Sequence, residues 1–203
     1  MTERPNLPFQ KAWVQSGVDW KKYREMYITP VNTTHMMKSD SWKAIGHYGR
    51  AKGDIESVAE YMRAALIKAF QEDPNKRFTI VENPGQSTLV LEIALTQLTP
   101  NSPALKAAGM VPVYGWAAKA LDATSPAAVA FEARLRDGVT GDVIATFADC
   151  RGKKKAIVST QDLTWCSYAN EIIDDWSAEL VEIANRRPGE IVKKAAGYKL
   201  KPW

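Results

Sequence analysis

Residues 128–149 read AVAFEARLRDGVTGDVIATFAD, and this stretch decides the fold. Ala128 to Arg136 and Asp142 to Asp149 are two runs of strand-compatible residues. The segment between them, Asp137-Gly138-Val139-Thr140-Gly141, is a short glycine-containing connection of the kind that closes a β-hairpin. Working upstream, Thr88 to Leu98 alternates as a long strand, with Leu89, Leu91, Ile93 and Leu95 on one face and Val90, Glu92, Ala94 and Thr96 on the other. Before it, Asn83-Pro84-Gly85 marks a turn and Phe78 to Val81 a short strand. Farther back, Ile55, Val58, Ala59, Met62, Leu66, Ala69 and Phe70 recur at spacings of three and four, which predicts an amphipathic helix over 54–72 capped by Asp54. Downstream, Trp165, Tyr168, Ile172, Ile173, Trp176, Leu180 and Ile183 form the stripe of a second helix over 163–186, capped by Asp162 or Thr164 and ended by Pro188-Gly189. Each helix has one apolar stripe and each strand one apolar face, so each needs one partner layer. The expected architecture is α+β: a mixed β-sheet with the two main helices packed on one face.

The remaining segments are less regular. Residues 1–25 read as an extended lead-in on the surface, anchored by Phe9, Trp13 and Trp20, and 25–31 as a strand whose Pro30 suggests a sheet edge or a strand end. Residues 32–53 read as a long polar loop. Arg151 to Lys155 reads as a charged loop, and residues 190–203 are a basic tail. No repeat or low-complexity tract divides the chain, so 1–203 is read as a single domain.

Composition supports an ordinary globular protein. Of 203 residues, 45% are hydrophobic and 25% charged, which disfavours disorder and a simple coiled coil. A domain of this size buries roughly 70% of its unfolded surface, enough for a core without metal clusters or dense disulfides. The formal charge of +4 is a small excess spread along the chain, except at Arg151 to Lys155 and the tail, so no nucleic-acid partner is expected. The chain opens with neither a basic n-region nor an apolar h-region, so the expectation is either a cytoplasmic protein or an exported one whose signal has been removed.

Motifs that carry chemistry are few. His35 and His47 lie in the 32–53 loop without the closely spaced ligands a zinc site needs. Gly46-His47-Tyr48-Gly49-Arg50-Ala51-Lys52-Gly53-Asp54 has the glycines of a phosphate loop, but no Gly-Lys-Ser/Thr ends it and Asp54 sets a negative charge at the helix start. Asp174 and Asp175 are neighbours on a helix, about 100° apart, and cannot share a substrate as a catalytic dyad would. No serine elbow is present and neither cysteine has a neighbouring base, so no catalytic, cofactor-binding or metal residue is assigned and no cofactor is expected. Cys150 and Cys166 are either one bridge or two thiols.

Taken together, several short stretches resemble a bacterial lipoprotein family of unknown function. They are Trp13, Gly17-Val18-Asp19-Trp20 with Tyr23, Tyr27-Ile28-Thr29-Pro30-Val31, Pro84-Gly85 ahead of Leu89-Val90-Leu91, Ala94-Leu95-Thr96, Glu132 through Arg136-Asp137, Thr140-Gly141 and Asp175-Trp176. The resemblance implies an exported, periplasmic protein held at the membrane surface by a lipidated N-terminal cysteine. No cysteine precedes Cys150 here, so that anchor is expected on a longer precursor. The order of elements is also similar to the N-terminal domain of TolB and to lipoprotein activators of penicillin-binding proteins, which are binding modules.

The expected function is therefore a non-catalytic cell-envelope domain that binds another macromolecule, an envelope protein or a second copy. The alternative is a periplasmic enzyme or small-ligand binder built on the 32–53 loop. One further segment bears on partners: 103–121 is mostly apolar yet broken by Gly109, Pro112 and Gly115. It reads either as cover for the open side of the sheet or as a partner contact through Met110, Tyr114 and Trp116.

Overall fold

The computed structural model describes residues 6–38, 48–99, 127–153, 167–187 and 190–193. Six strands form one sheet: β1 (Lys11–Val14), β2 (Glu25–Ile28), β3 (Thr79–Ile80), β4 (Thr88–Thr99), β5 (Ala127–Asp137) and β6 (Val143–Lys153), in the spatial order β1-β6-β5-β4-β2-β3. The meander β4-β5-β6-β1 is antiparallel, whereas β2 runs parallel to both β3 and β4. The sheet is thus mixed, as expected. Three helices are described: α1 (Thr34–Lys38), α2 (Tyr48–Gln71) and α3 (Ser167–Asn185), with a single 3-10 turn at Trp20–Lys22.

The core lies between one face of the sheet and the pair α2/α3. Leu89, Leu91, Ile93 and Leu95 of β4, Val129 and Phe131 of β5 and Phe147 of β6 meet Ile55, Met62, Leu66 and Phe70 of α2 and Ile173 and Trp176 of α3. Aromatic rings stitch the layers: Phe131 sits edge-on to Trp176 at 4.5 Å and to Phe147 at 5.9 Å, and Phe9 stacks on Phe147 at 4.8 Å.

Several boundaries differ from the sequence reading. The lead-in is not a surface strap: its residues 11–14 pair with β6 as an edge strand, with Ala12 buried on the helix side. The helix expected to start at Asp54 starts at Tyr48 and passes through Gly53 without a break, so Asp54 is an interior residue and not the cap. A β-carbon at Gly53 would meet nothing within 4 Å, and the i,i+4 pair Lys52–Glu56 brackets the position. Residues 32–38 of the expected loop are structured too. Asn32 bridges β4 through Asn32 N–Ile93 O (2.8 Å) and Leu95 N–Asn32 O (2.9 Å), and its Oδ1 accepts the Thr34 amide to start α1. Finally, β6 continues through Arg151 to Lys153, where a charged loop was expected.

Candidate functional site

Three polar constellations are described, and they differ in what surrounds them. The first is at the hairpin end. Asp137 Oδ1 accepts the Val139 and Thr140 amides, closing the turn, while Oδ2 accepts Lys22 Nζ and Tyr23 OH, both at 2.8 Å. The Lys22 ammonium, the two turn amides and the Tyr23 hydroxyl hold this carboxyl well below its ordinary range. Beside it, Gly138 donates to Thr88 O, and Arg77 donates to Tyr23 O and Trp20 O. Asp73 accepts Asn75 N, Arg77 N and Asn185 Nδ2, tying the end of α2 to the end of α3. These groups fasten chain segments together.

The second constellation lies inside, between β6 and α3. Asp149 Oδ2 accepts Arg151 Nε (2.7 Å) and Trp176 Nε1 (2.8 Å), and Arg151 Nη2 donates to Glu179. Asp149 is 0% exposed, Glu179 3% and Arg151 9%, and the guanidinium lies 5.5 Å from the Trp176 ring centre. Strand alternation explains why: Phe147, Asp149 and Arg151 share the face that meets α3. Arg151 was read as part of a charged loop; it is instead on β6, enclosed by two carboxylates and an indole. Nearby, burial raises the Asp175 carboxyl above its usual range against the pull of Arg151, helped by Asp174 and Glu171. Asp174 accepts the Tyr61 hydroxyl, a link from α3 to α2.

The third is on the outer face, away from the helices. Strand register places Trp13, Thr146, Arg134 and Glu92 in one row across β1, β6, β5 and β4, and Lys11, Ala148, Glu132 and Ala94 in the next. Glu92 accepts from Arg134 Nε and from Arg136 Nε (3.0 Å), while Arg136 Nη1 donates to Gly141 O. Trp13 is 40% exposed, and Arg134 and Glu132 are exposed as well. Ala148, in the second row, is fully buried.

Of the residues singled out from sequence, His35 is exposed on α1 and Cys150 is buried on β6. His47, Met110, Tyr114, Trp116 and Cys166 lie outside the described residues. Among the described residues no group of three His, Cys, Asp or Glu is arranged to hold a metal ion, and no helix is long and apolar enough to cross a membrane. The outer-face rows were missed in the sequence because they exist only once β1 is paired with β6, more than 130 positions away.

No curated protein matches this chain. Among solved structures, the PelC dodecamer from Paraburkholderia phytofirmans is similar at 10% identity with a TM-score of 0.43, covering 84% of this chain and 94% of that one. A PDZ domain protein from Parabacteroides distasonis is similar at 13% identity and a TM-score of 0.46, over 91% of this chain and 37% of that one. Protein XCC0632 from Xanthomonas campestris, a DUF330 protein, is similar at 12% identity and a TM-score of 0.41, over 89% of each chain. The model of one sequence family, "Protein of unknown function (DUF3313)", matches residues 2–180, and the chain belongs to that family.

Proposed function

We propose that this protein is a non-catalytic domain of the bacterial cell envelope, periplasmic and lipid-anchored in its full-length precursor, that binds another macromolecule through the outer face of its sheet. The observation that carries the reading is the contrast in geometry among its charged groups. Those at Asp137, Asp73 and Asp149–Arg151–Glu179 are committed to joining chain segments, whereas the Trp13–Arg134–Glu92 row lies on the sheet face away from the helices, with Trp13 and Arg134 exposed. Exposed side chains on a sheet face suit a macromolecular partner; small ligands take concave sites that enclose most of their surface. The described part of 32–53 is regular structure with His35 exposed, which favours this reading over a small-ligand site there. The finer likeness to TolB N-terminal domains and to activators of penicillin-binding proteins belongs with this proposal, since both are binding modules.

Site-specific photo-crosslinking in the source bacterium tests it. A photoreactive residue at position 13 or 132 should give discrete crosslinked species in the membrane fraction, and one at Glu60 on α2 should not. Equal yields from all three positions, or none, contradict the proposal.

A further inference from the structure

We draw no further inference here: the strongest candidate, the shallow groove on the exposed side of α2 lined by Glu60, Arg63, Ala64, Ile67, Lys68 and Gln71, carries nothing because nothing in the structure shows what covers it.

Discussion

The two faces of the sheet carry the same chemistry in opposite settings. Inside, Arg151 is held by Asp149 and Glu179 beside Trp176; outside, Arg134 and Arg136 are held by Glu92 in the same row as Trp13. A guanidinium, a carboxylate and an indole recur, and burial decides what each set does. The inner set is cut off from water, so every member depends on the others being present. The outer set is partly exposed, so its members contribute less to stability than the inner ones. Identical residue types thus divide into a fastening and a surface.

The tryptophans should break the symmetry most clearly. Trp176→Ala removes a side chain 1% exposed, empties the space beside Phe131 and takes a donor from Asp149, and should cost roughly 3–5 kcal/mol. Trp13→Ala, on the exposed face, should stay within about 0.5 kcal/mol. Equilibrium denaturation of the two variants in parallel gives both numbers.

Next in size is Gly138. A β-carbon there would come 2.8 Å from both Gly85 O and Thr88 O, backbone atoms that cannot move aside cheaply. Gly138→Ala should therefore cost roughly 1–3 kcal/mol. Ala substitution at Gly53, where nothing lies within 4 Å, should be neutral or slightly stabilising in the helix. Thermal melts distinguish them.

A smaller effect is expected from pH. Asp137 has its folded-state pKa depressed by Lys22 and the turn amides, so its contribution is present above the ordinary carboxylate value of about 4 and is lost as pH falls below it. Asp137→Asn should lower stability at neutral pH and flatten the acid limb of the stability curve. Denaturant midpoints between neutral pH and strong acid would show it; an unchanged acid limb would contradict this role.

Much of the scaffold was legible in the sequence, and the reasons are local. The β5–β6 hairpin announced itself by two strand-like runs around Asp137 to Gly141, and α2 and α3 by apolar spacings of three and four. The misreadings came where local signals point one way and tertiary pairing another. Gly53-Asp54 has the look of a helix start, yet α2 passes through both. Lys11–Val14 is too short to show a period, and it is a strand only because β6 offers an edge. Arg151 opens a basic run and so read as part of a charged loop, whereas it continues β6 and alternation from Phe147 turns it inward to meet α3. The candidate surface was not legible at all. Its row is assembled from β1, β4, β5 and β6, and no spacing in the chain encodes that register.

The most direct test of burial as the divider is to remove the two arginines under the same conditions. Arg151→Met leaves Asp149 and Glu179 buried without their guanidinium, and should lower the unfolding free energy by roughly 3–5 kcal/mol. Arg134→Met leaves Glu92 partly exposed and still paired with Arg136, and should change it by less than about 1 kcal/mol. Equal losses, or a larger loss at Arg134, would contradict the division of the molecule into a fastened inner face and a partly exposed outer one.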